Sequence, residues 1–277
     1  MNTSEMMEIA LKLAGLTEKP SDTDVIVPGE SIKRILIGID MDTPELLLAR
    51  ELGHDCVVSH HPRNVPAVKK DEDGPGDVMD TQVDKMVSFG VPRNKAQKAL
   101  AAKKEKMSFM FHSMNSGRTA TAAKLMHMPF MCIHTPADMI GEKIVQNFLD
   151  DKFADKPETT VGEVMKALDE IPEYDRYTRR PVIRVGNEKS FAGKIAVLYA
   201  GGTGGGADVY KAYFEAGVGT LVLMHAGEDD AKAVKEQNIG NILVAGHMPS
   251  DSIGINRIIA EWEKRGVSVT RMSGVVE

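Results

Sequence analysis

His134-Thr-Pro-Ala-Asp-Met-Ile-Gly141 and His247-Met-Pro-Ser-Asp-Ser-Ile-Gly254 are two versions of one element, H-x-P-x-D-x-I-G, alike at five of their eight positions. Each follows an apolar run, Phe130–Ile133 in one case and Ile242–Gly246 in the other, and each leads into an amphipathic helical pattern. The likeness extends to what comes before. Arg34-Ile-Leu-Ile-Gly-Ile39 has the length and β-branched content of a buried strand. Asp42 then stands as a helix N-cap, with Pro44 and Glu45 in the first turn, where such residues help. The helix Glu45–Leu52 stops at Gly53, and a strand over Asp55–Ser59 ends in His60-His61-Pro62.

The same order returns in the second half. A strand over Lys194–Tyr199 is followed by a glycine-rich turn, the helix Asp208–Ala216, Gly217, the strand Thr220–Met224 and His225. Such agreement in order marks an internal duplication. Strand–helix–strand units with connections this short imply parallel strands and right-handed crossovers. The expected fold class is therefore α/β: two α/β units with central parallel or mixed sheets flanked by helices. Residues 1–156 would form the first repeat and 157–277 the second.

The halves differ between their histidines. The first carries an insertion at about 62–133, which contains a polar, Gly/Pro-punctuated loop around Asp71–Asp77. Helices are expected near Thr81–Phe89, Asn94–Lys106 and Arg118–Met126, forming a lid or an oligomer contact. A helix over Val161–Leu168, capped by Thr159 or Thr160, bridges to a strand within Tyr177–Val185.

Bulk properties narrow the function classes. With 42% hydrophobic and 27% charged residues the chain has an ordinary globular composition. A net charge of −6 argues against general nucleic-acid binding, and 5% aromatic residues against a stacking platform for single strands. No apolar run approaches a membrane span, and Met1–Lys12 reads as a polar start to an amphipathic helix rather than a leader. Cys56 and Cys132 lie in apolar strand-like runs, as reduced, buried thiols do, and the expected location is the cytoplasm.

His60 and His61 end a strand that Pro62 stops, so both imidazoles can reach the crevice outside the carboxyl ends of the sheet, where ligands of open α/β sheets bind. The duplicated element adds a histidine and an aspartate just past a strand, twice over. Asp138 and Asp251 read either as metal ligands or as simple helix N-caps. Three or more imidazoles with two carboxylates exceed the needs of one tetrahedral ion. Two divalent ions about 3.5–4 Å apart would use the set, and mixed His and carboxylate donors suit Zn, Mn, Fe, Co or Ni.

Taken together, Leu36–Pro62 with its His-His-Pro, His134–Asp138, Val197–Gly206 and Gly246-His247-x3-Asp251 resemble the NIF-three-like family, the GTP cyclohydrolase type 2 homologues. The resemblance covers nearly the whole chain in order, apart from the lengthened 62–133 segment. It implies a duplicated α/β fold, a dinuclear metal site and a homohexamer. It also implies His60, His61, Asp138, His247 and Asp251 as ligands, with Asp251 bridging the ions. The family usually carries Glu where this chain has Asp251, a carboxylate one methylene longer. The resemblance further implies a small-molecule substrate, a nucleotide by family association, and hydrolysis by a metal-bound hydroxide. The competing reading is a non-catalytic metal-binding or regulatory protein.

Other residues carry double readings. His225 stands where His61 stands in the first half and is either a near-site group or a packing residue; His134 is a near-site candidate. Gly202, Gly204 and Gly205, in Gly201-Gly-Thr-Gly-Gly-Gly206, contact an anion on backbone amides or form a tight turn. The loop motivates a nucleotide-binding oxidoreductase as a third hypothesis, although no acidic residue ends the next strand to hold a ribose. Asp40 reads as a loop or capping residue, and His112 as a non-ligand.

Overall fold

The computed structural model describes residues 1–62, 76–202 and 204–277; most of the expected polar loop, residues 71–75, lies outside them. Helix α1 (Thr3–Ala14) and strand β1 (Thr23–Val27) precede β2 (Arg34–Gly38), α2 (Thr43–Glu51) and β3 (Cys56–Ser59). Helices α3 (Gly76–Ser88), α4 (Arg93–Ser113) and α5 (Arg118–Leu125) lead to β4 (Phe130–Ile133) and α6 (His134–Phe153). Then come α7 (Val161–Leu168), α8 (Pro172–Arg176), β5 (Val182–Val185) and β6 (Lys194–Leu198). The chain continues through α9 (Ala207–Glu215), β7 (Val218–Leu223), α10 (Glu228–Gln237), β8 (Asn241–Val244), α11 (His247–Glu263) and β9 (Ser268–Met272).

Local signals explain many of these boundaries. Asp42 caps α2 in a capping box with Glu45, and Thr160 caps α7 with Glu163 in the same way. A cap of this kind stabilises its helix by about 1 kcal/mol. β1, α8, β9 and α10 are elements that the sequence pattern does not reveal.

Among the described residues the strands form two sheets, in the orders β1-β4-β3-β2-β9 and β5-β8-β7-β6. In the first, β4, β3 and β2 are mutually parallel and β1 pairs antiparallel with β4. In the second, β8, β7 and β6 are parallel and β5 pairs antiparallel with β8. The second sheet thus repeats the first strand for strand, and each antiparallel pair carries one irregularity in register. The first sheet alone gains an extra parallel strand, β9, beside β2. The expected α/β architecture of parallel and mixed sheets flanked by helices is what the structure shows.

The chain packs as two compact units. One comprises the described residues of Met1–Val78 with Ser108–Ile140 and Asp251–Val275; the other comprises Met79–Met107, Gly141–Ser250 and Val276–Glu277. This is a partition by packing, whereas the repeats are a partition by sequence. In the first unit, Leu36, Leu46, Ala49, Val57, Ala123 and Phe130 form an apolar cluster that seats α2 and α5 on the sheet. In the second, α3 and α4 bury Val83, Met86, Ala96 and Leu100 against Tyr210, Tyr213 and Phe214. These parts of the expected insertion are therefore core elements of that unit. Each fully buried Leu or Phe contributes roughly 1.5–3 kcal/mol by leaving water.

Candidate metal centre

The first sheet aims its chemistry at one end. Asp40 lies two residues beyond parallel strand β2, while β3 and β4 are followed directly by His60-His61 and by His134. Ligands bind at this end of open α/β sheets. Backbone pairing continues past β3, with the His60 and His61 amides donating to Gly38 O at 2.9 Å and Ile39 O at 2.8 Å. Consecutive strand residues ordinarily face opposite sides. Here the Ser59 hydroxyl donates to the His61 carbonyl at 2.7 Å, bending the chain end. The His60 and His61 rings stand 4.9 Å apart, on the same side.

Two helices complete the cluster. α6 begins at His134 and α11 at His247, so Asp138 and Asp251 lie one turn inside their helices and not at the N-cap. Both aspartates are buried and both face His60: its Nε2 is 3.3 Å from Asp138 Oδ1 and 3.6 Å from Asp251 Oδ1. His61 Nε2 lies 3.7 Å from Asp251 Oδ2, and His134 Nε2 lies 3.6 Å from Asp138 Oδ2. Potential ligand atoms of His60, His61 and His134, and of His60, Asp138 and Asp251, fall within 4.8 Å of one another.

The residues fit a metal on their own chemistry. His60 is fully buried, yet among the described residues neither ring nitrogen makes a hydrogen bond, and buried Asp138 Oδ1 makes none either. Burying such atoms unsatisfied costs roughly 1–3 kcal/mol each, so native folds seldom do it without a purpose. Buried imidazole and carboxylate donors converging at these distances are groups that could hold a metal ion.

Electrostatics point the same way. Burial opposes charge on His60, but Asp251 and Asp138 outweigh it and lift its pKa to about 10. Burial and the neighbouring His60 and His134 push His61 down to about 4, against Asp251 and Asp40. Burial also opposes charge on His134, and Asp138 and Asp22 overcome it and raise its pKa. Asp22 stays below the usual carboxylate range despite its burial, chiefly because of His134. The carboxylates therefore draw positive charge into the cluster.

His134, expected as a near-site group, stands as close to Asp138 as His61 does to Asp251. Asp22, which sequence reasoning missed, holds His134 Nδ1 at 2.6 Å. Asp40, expected as a loop or capping residue, lies 2.8 Å from His61 Nδ1. No local signal marks Asp22, because Lys19-Pro-Ser-Asp-Thr23 reads as a turn.

His225 and His247 belong to the second unit and are exposed, their rings edge to face at 4.9 Å. His247 opens α11 four residues before Asp251. In the glycine-rich segment, Gln82 Nε2 donates to Gly201 O at 3.0 Å, and a Cβ on Gly201 would stand 2.4 Å from the Gln82 side chain. The first amide of α9, on Ala207, donates to Asp230 Oδ1 at 3.1 Å. Cys56 and Cys132 are free and buried, and burial pushes both thiols up. His112 lies exposed on α4. No helix among the described residues is long and apolar enough to cross a membrane.

No family model matches the chain, and no curated protein matches it at a significant level. Solved structures do. A NIF3 superfamily protein from Sphaerobacter thermophilus is 36% identical with a TM-score of 0.93, covering 99% of this chain and 98% of that one. Reduced HcgD from Methanocaldococcus jannaschii is 12% identical with a TM-score of 0.60, over 98% and 97% of the two chains. A Bacillus cereus protein related to NIF3 is 10% identical with a TM-score of 0.54, over 98% and 96%. At such identities the latter two speak for the fold alone. The first match is of a different order, extending over both chains almost end to end, and on it the chain belongs to the NIF3 superfamily.

Proposed function

We propose that this protein binds two divalent metal ions and is a metal-dependent hydrolase of a small-molecule substrate. The observation that carries this reading is His60: a fully buried imidazole with neither nitrogen hydrogen-bonded among the described residues, set against two buried carboxylates. His60, His61, Asp138 and Asp251 are the ligands on this reading, with His134 as a further donor. His247, one helical turn before Asp251 on α11, is the remaining one. Asp251 offers one oxygen toward His60 and the other toward His61, a disposition suited to bridging.

Imidazole and carboxylate donors favour Zn, Mn, Fe, Co or Ni over Ca or Mg. Such ions supply Lewis acidity toward a carbonyl, imine or phosphoryl oxygen and lower the pKa of water. The chain's own residues position the donors on strand ends and helix starts, which hold geometry more tightly than loops. They also exclude solvent, since His60, Asp138 and Asp251 are all but inaccessible.

The test is metal content followed by a hydrolysis screen. Protein purified without chelator, then reconstituted with each candidate ion, should hold close to two ions per chain by elemental analysis. His60→Ala and Asp251→Ala should lower occupancy sharply. Fewer than one ion per chain after reconstitution would sink the metal reading. A screen of nucleotides, cyclic amides and phosphoesters with loaded protein then decides the reaction. Hydrolysis undiminished in His60→Ala/His61→Ala would exclude this site as its seat, and stoichiometric metal without turnover would favour a non-catalytic binder.

A further inference from the structure

Among the described residues four carboxylates surround the histidine cluster, and they are not equivalent. Asp138 and Asp251 face the Nε2 atoms of His60, His61 and His134. Asp22 and Asp40 instead approach Nδ1 atoms, on the far side of the rings.

Asp22 is delivered by sheet register. β1 runs antiparallel to β4 with Thr23 opposite Ile133, so the residue before Thr23 arrives beside the residue after Ile133. Asp22 is 3% exposed, and both its oxygens are engaged. Oδ2 lies 2.6 Å from His134 Nδ1 and accepts from the Thr135 hydroxyl at 2.7 Å, while Oδ1 accepts from the Thr23 hydroxyl at 3.0 Å. Asp40 is held differently. Its amide donates to Ser273 Oγ at 3.2 Å, the Ser273 hydroxyl donates to its carbonyl at 2.8 Å, and its Oδ1 lies 2.8 Å from His61 Nδ1.

An ionised carboxylate can only accept a hydrogen bond, so in both pairs Nδ1 must carry the proton. A neutral imidazole then has its lone pair on Nε2, the atom that in both rings faces a ligand carboxylate. We infer that Asp22 and Asp40 are positioning residues that fix His134 and His61 as Nε2 metal donors, and are not themselves ligands. This rests on the metal reading given above. Outer carboxylates of this kind orient the ring, fix the tautomer and raise the basicity of the ligating nitrogen. Among the described residues His60 has no hydrogen-bond partner on Nδ1, and its ring is fully buried.

The test uses the full chain and two probes, Zn2+ and Co2+, with affinities measured by competition against a chromophoric chelator. Asp22→Asn and Asp40→Asn should each weaken binding by about 10–100-fold, the usual loss when an outer partner of a metal-bound histidine is removed. Near-ultraviolet circular dichroism of the metal-free variants should match the parent, separating lost positioning from lost folding. Asp40 is partly exposed, so Asp40→Asn keeps the test alive if Asp22→Asn fails to fold. Nitrogen-15 spectra of zinc-loaded parent protein need no variant: His61 and His134 should show protonated Nδ1 and metal-bound Nε2. In Asp22→Asn only the His134 signals should shift. Parent-like affinity in both variants, or metal on Nδ1 in the parent, would overturn the inference while leaving the metal site standing. A parent chain that binds neither ion would remove the metal reading and the inference together.

Discussion

Gly254 of α11 backs onto the Ala137 carbonyl of α6, and a Cβ built on Gly254 would stand 1.9 Å from that oxygen. Asp138 follows Ala137 directly, and Asp251 lies one turn before Gly254, so this close approach sets how near the two carboxylates come to His60. The glycine closing the repeated element is thus a spacer for the two aspartates of the cluster. Gly254→Ala must drive the helices apart against backbone, which no rotamer change can relieve. Overpacking of this kind costs about 1–3 kcal/mol. Chemical denaturation should show that loss, and metal affinity should fall with it. Unchanged stability and affinity would mean that the helices part freely and do not set the ligand distance.

Metal should stabilise the fold measurably, because the cluster is assembled only when β2, β3, β4, α6 and α11 are in place. A ligand that binds the native state alone, at 100 times its Kd, adds about 2.7 kcal/mol. Thermal denaturation with and without Zn2+ or Mn2+ should therefore show a clear rise in Tm that chelator reverses. In His60→Ala the rise should vanish. A rise of the same size in that variant would place the stabilising ion elsewhere.

The repeat was legible because it is written in local signals: a capped helix ended by glycine, β-branched strands and a doubled H-x-P-x-D-x-I-G string. Those signals recovered β2–α2–β3 and β6–α9–β7 and placed His60, His61, Asp138 and Asp251. What they could not supply depends on distant pairing. β9 is a five-residue strand whose partner, β2, lies more than two hundred residues earlier, and β1 is a short edge strand whose sheet partner, β4, lies more than a hundred residues later. Asp22 acquires its role solely through that edge pairing, and in sequence it is one more polar turn residue. The helices of the 62–133 segment were visible, but not that α3 and α4 build the core of the second unit. Their apolar faces show only that something is covered.

An acid-sensitive tether links α2 to α5. Asp42 caps α2, accepts from the Thr43 amide and the Thr119 hydroxyl, and pairs with Arg118. Partial burial raises its pKa, but Thr119, the Thr43 amide and Arg118 outweigh it and lower the value to about 2 from 3.8. The folded state thus binds this proton more weakly than the unfolded chain does. The stabilisation is complete above pH 4 or so and disappears as pH falls through about 2. Asp42→Asn preserves a good N-cap while removing the charge and one of the two acceptor oxygens that hold Thr119 and Arg118. With the side chain a quarter exposed, solvent screening reduces the effect to about 1 kcal/mol at neutral pH. Urea denaturation of the two proteins from pH 7 to pH 2 should show that difference narrowing on the acid side. A gap that stays constant down to pH 2 would mean that packing of the asparagine, and not the lost charge, sets the cost.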